Sequence, residues 1–281
     1  MTEPISFIKM HGAGNDFVII DSRIHNAALN EIAIPNICDR HFGVGCDQLI
    51  ELHAPKHEDA DVFMIIYNSD GSQSAACGNA TRCVAALIMS ALGSDECIIE
   101  TAAGLLPCGV DDDGVINVDM GKPKFHWQDI PLSQDLPTHA VPLDIEGLDN
   151  PYMVNMGNPH AVFVVDDVTQ IDLEKIGSLV ENHPYFPERT NVEFVEVISK
   201  SHIRMRVWER GAGITLACGS GTCASVVALV KKGLIKRNVK VSVDGGELGV
   251  EYLREDDHVI LRGPIAISFG GTLSESLWNK R

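Results

Sequence analysis

The chain repeats one segment at half its own length, and that duplication limits what it can fold into more than any other feature. Ala75-Ala76-Cys77-Gly78-Asn79-Ala80-Thr81-Arg82-Cys83 is echoed by Leu216-Ala217-Cys218-Gly219-Ser220-Gly221-Thr222-Cys223-Ala224. The leading cysteines lie 141 positions apart (218 less 77) in a chain of 281 residues. In that register Thr81 meets Thr222, Gly104 meets Gly245, Val118 meets Val259 and Pro123 meets Pro264. A single short match can be chance, but several in one register indicate a unit built twice.

The flanking patterns agree. Each cysteine follows a polar, Gly-bearing stretch (Asn68–Gly71, Glu209–Gly213) and precedes an apolar run at helical spacing. Gly93 and Gly233 stand where helix C-caps are expected. Val- and Ile-rich stretches predict strands at Phe17–Asp21, Val62–Tyr67, Val115–Met120, Ala161–Asp166, Val192–Ile198, Ile203–Glu209, Val239–Val243 and His258–Leu261. The expected class is α/β in the α+β sense: two pseudo-symmetric β-rich lobes, each wrapped around a central helix. The proline-bearing stretch from Lys122 to Asn150 reads as the crossover between lobes.

Cysteine before a helix start has chemical meaning. A thiol acts as a base only as thiolate, and free backbone N–H groups plus the helix dipole favour that anion. The same N–H groups can bind a carboxylate, and the adjacent glycine lets a ligand approach the backbone. Inverting a carbon centre needs a base on one face and an acid on the other, which a duplicated thiolate/thiol pair supplies. Cys77 and Cys218 are the candidates; which one starts ionised stays open. Cys38, Cys46, Cys97 and Cys108 read as buried packing residues, and Cys83 and Cys223 as helix core.

Composition excludes several other roles. The 22 basic and 39 acidic residues give a net charge of −17, which disfavours nucleic-acid and anionic-membrane partners. No apolar run reaches the length of a membrane span, and Met1-Thr-Glu-Pro-Ile-Ser-Phe7 has no basic-then-apolar signal pattern. A cytoplasmic location is expected. That compartment argues against disulfides for the eight cysteines. No Cys-x-x-Cys pair occurs, so neither a zinc site nor a redox motif is indicated.

Six ordered blocks carry a resemblance: Met10–Phe17, Tyr67–Gly71, Ala76–Asn79 with Arg82, Asn155–His160, Arg189–Val192, and Arg206–Gly213 leading into Ala217–Gly221. Along nearly its whole length the chain resembles the diaminopimelate epimerase family. The resemblance implies a PLP-independent, metal-free enzyme, without cofactor, interconverting LL- and meso-diaminopimelate in lysine and peptidoglycan-precursor biosynthesis. It implies the diaminopimelate epimerase-like fold, with lobes at 1–121 plus 266–281 and at 122–265, the last strand returning to the first lobe, and a homodimer. Carried over by motif, Cys77 and Cys218 are the acid/base pair, with His160 and Glu209 tuning their protonation. Asn15, Gln48, Asn68, Asn158, Asn191, Glu209 and Arg210 are implied substrate contacts, with backbone at Gly78-Asn79 and Gly219-Ser220.

Taken singly, these residues have plainer explanations. His160 reads as a core histidine, Glu209 and Arg210 as a solvated ion pair, and Asn15 and Asn68 as turn residues. Three positions depart from the family pattern: Ile214, where Glu is common, Ala80, where Gly often stands, and Cys46, in place of Ala. The enzymatic alternative is a proline racemase or hydroxyproline epimerase, whose first cysteine is usually followed by Gly-His. A phenazine-biosynthesis-type isomerase lacks the cysteine pair. From another class, a thiol redox or metal-binding module is the competing reading.

Overall fold

A computed structural model describes residues 4–24, 29–30, 32–145 and 147–278. Residues 1–3, part of the stretch read for a signal, lie outside the described residues. The chain divides into two compact units, Met1–Val118 with Pro264–Arg281, and Asp119–Gly263.

In the first unit the chain runs β1 (Ser6–Gly12), β2 (Asn15–Asp21), α1 (Ala33–Cys38), β3 (Gln48–His53), β4 (Val62–Asn68), β5 (Gln73–Ser74), α2 (Gly78–Leu92), β6 (Glu96–Thr101), β7 (Gly104–Val110) and β8 (Ile116–Asp119). The β1/β2, β3/β4, β4/β5, β6/β7 and β7/β8 pairs are antiparallel, while β2/β3 and β4/β6 are parallel. A parallel pair needs a crossover; α1 lies in the β2–β3 crossover and α2 in the β4–β6 one. Helix α2 packs on β1, β2, β6 and β7 and is buried through most of its length, including Arg82.

The second unit repeats this plan: β9 (Tyr152–Asn155), β10 (Pro159–Val164), α3 (Leu173–Glu181), β11 (Asn191–Ser199), β12 (His202–Glu209), β13 (Gly213–Thr215), α4 (Gly219–Lys231), β14 (Asn238–Val243), β15 (Gly246–Tyr252) and β16 (Val259–Arg262). Its β9/β10, β11/β12, β12/β13, β14/β15 and β15/β16 pairs are antiparallel, and β10/β11 and β12/β14 parallel. Strand for strand, β9–β16 repeat β1–β8. Helix α4 is buried from Gly219 through Leu229, as expected of a helix apolar on all sides. The chain ends with β17 (Ala266–Thr272), antiparallel to β1, and α5 (Glu275–Trp278), which packs on α1.

Every predicted strand is present within a few residues of its expected limits. Three sequence expectations change. Gly93 is the left-handed cap of α2 (φ 66°), but α4 is capped by Lys232 in right-handed conformation, and Gly233 (φ 72°) comes one residue later. The 141-residue register holds at the cysteines and then slips. Gly104 and Gly246 each open the strand after a tight turn, and Val118 and Leu261 occupy matching ladder positions, opposite Cys108 and Val250. The Lys122–Asn150 stretch is no crossover between lobes. The chain passes between units at Val118–Asp119, and Lys122–Asn150 belongs wholly to the second unit. Its apolar residues explain this: Ile130, Leu132, Val141 and Leu143 are buried in one cluster with Phe163, Phe194 and Val180.

Candidate functional site

Cys77 is the N-cap of α2, in extended conformation, and its carbonyl accepts from the N–H and the hydroxyl of Thr81, both at 2.9 Å. Its sulfur lies 3.7 Å from Oδ1 of Asn15, at the start of β2. That oxygen also accepts from Nδ2 of Asn79 (3.2 Å), while Nδ2 of Asn15 donates to Oδ2 of Asp47 (2.9 Å). Asn79 accepts from Nη2 of the fully buried Arg82 (2.9 Å). Gln48 and Asn68, partners in the β3/β4 ladder, form a second amide pair: Nε2 of Gln48 donates to Oδ1 of Asn68 at 2.9 Å.

Cys218 is the N-cap of α4, and its sulfur accepts from the backbone N–H of Gly221 (3.4 Å) and sits 3.6 Å from the Ser220 hydroxyl. These contacts favour thiolate. Burial works against them and wins: desolvation, with the nearby carboxyls of Glu209 and Glu193, pushes the Cys218 thiol well above its ordinary value. Glu209, the last residue of β12, accepts from the Thr215 hydroxyl at 2.5 Å and from the Cys218 thiol. Its carboxyl is raised to about 7, chiefly by burial.

Beneath Cys218 lies a buried chain. Nδ1 of His160 meets Oε1 of Glu193 at 2.7 Å, and its Nε2 meets Oδ1 of Asn158 at 2.8 Å; His160 and Glu193 are both 0% exposed. Burial raises the Glu193 carboxyl, and the imidazole opposes that rise. Glu193 packs so closely on the first turn of α4 that a β-carbon at position 221 would stand 2.5 Å from Oε1 and would have to displace that carboxylate. Asn191 donates from Nδ2 to the Pro159 carbonyl (2.8 Å) and accepts from the Arg210 backbone N–H (2.9 Å). The Arg210 guanidinium reaches the Glu188 carbonyl at 3.2 Å. Behind that loop Glu181 accepts from Trp208 Nε1 and the Gly211 N–H.

The duplicated ladders let the two units be compared residue by residue. Gln48 opens β3 opposite Phe17, and Asn191 opens β11 opposite His160. Phe17 is therefore the counterpart of His160, Ile50 of Glu193, and Asn68 of Glu209. The backbone repeats, but at these three positions the acidic and imidazole groups occur only in the second copy. Among the described residues, no group of three His, Cys, Asp or Glu could hold a metal ion.

With this geometry in place, comparison with known proteins decides the family. The family model described as diaminopimelate epimerase matches residues 7–126 and 152–267. The chain belongs to the diaminopimelate epimerase family. A diaminopimelate epimerase from Rhodospirillum centenum is 51% identical over 96% of this chain and 93% of its own length. One from Acidiphilium cryptum is 48% identical, over 96% and 97%. Among solved structures, a hydroxyproline epimerase from Agrobacterium vitis superposes with a TM-score of 0.72 at 16% identity, over 98% of this chain and 96% of the other. A phenazine biosynthesis protein of the PhzF family from Bacillus anthracis gives 0.66 at 18%, over 97% and 100%. These two likenesses show the shared α/β, β-rich fold.

Within that family frame, the structure brings Asn15 and Asn79 to Cys77, and Ser220 and Glu209 to Cys218, with His160 and Asn158 bonded to each other. Three residues escaped the sequence reading: Asp47, Glu193 and Glu181. Asp47 adjoins Gln48, and Glu193 lies two residues beyond Asn191, so proximity to a motif was the available signal. Of the departures, Ile214 is 48% exposed and Ala80 fully buried. The Cys46 sulfur lies 3.5 Å from that of Cys38 in the first unit's core.

Proposed function

We propose that Cys77 and Cys218 are the acid and base that invert the α-carbon, one supplied by each repeat. The observation that carries this is the duplicated placement of a Gly-followed cysteine at the N-cap of α2 and of α4. The chain is an isomerase that interconverts LL- and meso-diaminopimelate, an activity of lysine biosynthesis. One thiolate takes the α-proton, breaking the C–H bond and forming S–H. The electron pair stays on the α-carbon, spread onto its carboxylate, and the second thiol delivers its own proton to the other face. Neither PLP nor metal is required. The helix-start N–H groups at Gly78-Asn79 and Gly219-Ser220 stabilise the developing negative charge.

Glu209, raised to about 7, receives the Cys218 proton, and the His160–Glu193 pair adjusts the charge beside it. Asn15, Gln48, Asn68, Asn158 and Asn191 bind the ammonium and carboxylate groups, which amides can both serve. Arg210 holds the distal carboxylate. That role favours diaminopimelate over proline or hydroxyproline, which have no second charged end. A thiol redox or metal-binding module is less well supported, because the helix-start cysteines come with amide and guanidinium groups suited to an amino acid.

The chain is also proposed to work in the cytoplasm as a homodimer, with no nucleic-acid or membrane partner. No described helix is long and apolar enough to cross a membrane. Ile267 and Phe269 on β17 are 60% and 49% exposed, an apolar face suited to a second copy.

The test is solvent-deuterium incorporation at the α-carbon of LL-diaminopimelate, with proline and 4-hydroxyproline in parallel. Cys77→Ala and Cys218→Ala should each lose epimerisation while retaining the native circular dichroism spectrum. Near-native turnover in either variant rules out the two-cysteine mechanism.

A further inference from the structure

Beside Cys77 the first unit holds two side-chain amides in series, and their ends are set by ionic groups that admit one polarity only. Arg82 is a pure donor. Its Nη2 donates to Asn79 Oδ1 at 2.9 Å, which turns the Asn79 amide nitrogen towards Asn15. That nitrogen donates to Asn15 Oδ1 at 3.2 Å. At the far end the Asp47 carboxylate is a pure acceptor, and it takes the Asn15 amide nitrogen at 2.9 Å. Reversing either amide would set oxygen against oxygen at Asp47 or donor against donor at Arg82. The series therefore runs one way, and the group it turns towards the Cys77 sulfur, at 3.7 Å, is a carbonyl oxygen.

We propose that Asp47 and Arg82 are positioning residues which fix the Asn15 amide so that its oxygen accepts the Cys77 proton and holds Cys77 as the thiol in the free enzyme. This rests on the assignment of Cys77 to the acid/base pair and extends it, because it states which proton that cysteine carries before substrate binds. A carbonyl oxygen stabilises S–H and repels thiolate, whereas an amide N–H in the same place would do the reverse. Cys77 therefore starts as the proton donor, despite its seat at a helix start.

The relay is braced from outside. Oδ2 of Asp47 also accepts from the Asp16 N–H (3.1 Å), and Oδ1 accepts from Arg40 (2.7 Å). Arg40 and Lys9 both pair with Asp16, which holds the Asp16 carboxyl well below the usual carboxylate range. The charged groups linked to this amide series include Arg82 on α2, Lys9 on β1, Asp16 on β2, and Arg40 and Asp47 in the stretch before β3. Cys83, also on α2, is pushed up to about 12 by burial and remains protonated.

The test is the pH dependence of iodoacetamide alkylation of the full-length protein, read cysteine by cysteine by mass spectrometry. Asp47→Ala removes the acceptor that fixes the Asn15 nitrogen, so that the Asn79 N–H alone opposes a turn of the Asn15 N–H groups to the sulfur. The Cys77 midpoint should then fall by about one pH unit or more, a tenfold gain in thiolate at fixed pH. Asp47→Asn keeps an acceptor oxygen and should hold the midpoint near the wild-type value. A Cys77 profile in Asp47→Ala that superposes on wild type, or moves upward, overturns the proposal. So does an equal shift in the Ala and Asn variants. Should Asp47→Ala not fold, the infrared S–H stretching band decides. Wild type at neutral pH should show a band that Cys77→Ser lacks, and no such difference overturns the proposal. Retained epimerisation in Cys77→Ser would instead remove Cys77 from the acid/base pair, and leaves the alkylation result to be read separately.

Discussion

Glu209 shows how one carboxyl is shifted by its surroundings. Its value of about 7, against an ordinary 4.5, means the folded protein keeps a proton that the unfolded chain has already lost across that interval. The contribution to stability is full below about pH 4.5 and is lost as pH rises through 7. In the proposed role of Glu209 activity runs the other way, because only the carboxylate can take the Cys218 proton. The epimerisation rate should therefore rise with pH through about 7. Glu209→Gln, which keeps shape and loses basicity, should lower kcat by about 100-fold and flatten that limb. A pH–rate profile measured on both proteins checks this, and an unchanged limb in the variant would remove Glu209 from the role. Neighbouring Glu193 was invisible in the sequence, where it is one acidic residue in a Val-rich strand. Its position 2.7 Å from His160 joins residues 33 apart, through a parallel pairing that no local pattern encodes.

At the scale of elements, helices α2 and α4 each begin with cysteine and end near a left-handed glycine, and these limits were legible because capping is local chemistry. The one-residue difference at Gly233 was not, since both ends satisfy the same terminal carbonyls: Ser94 N–H reaches Met89, and Leu234 N–H reaches Leu229. Gly93 has φ 66° and open space where a β-carbon would stand. Gly93→Ala should thus cost conformational energy alone, about 1 kcal/mol. Thermal unfolding should show Tm lower by a few degrees with kcat/KM unchanged. A loss of activity there would mean that the distal end of α2 influences Cys77.

For the molecule as a whole, the exposed apolar side chains of β17 give the homodimer proposal a specific test. Light scattering of Phe269→Asp should report half the wild-type mass; an unchanged mass places the interface elsewhere. The sequence by itself determined the duplication, the α/β class, the strands, the family and both helix-start cysteines. All of these rest on chain-local periodicity, on motif spacing, or on one half read against the other. Only the tertiary structure decided the chemical asymmetry of the repeats, Phe17 against His160 and Ile50 against Glu193, and the polarity of the Asn79–Asn15 relay. Those depend on which residues face each other across ladders and between a helix and a distant loop. Hydrogen bonds there join positions up to 64 apart, and their direction is set by the ionic group at each end.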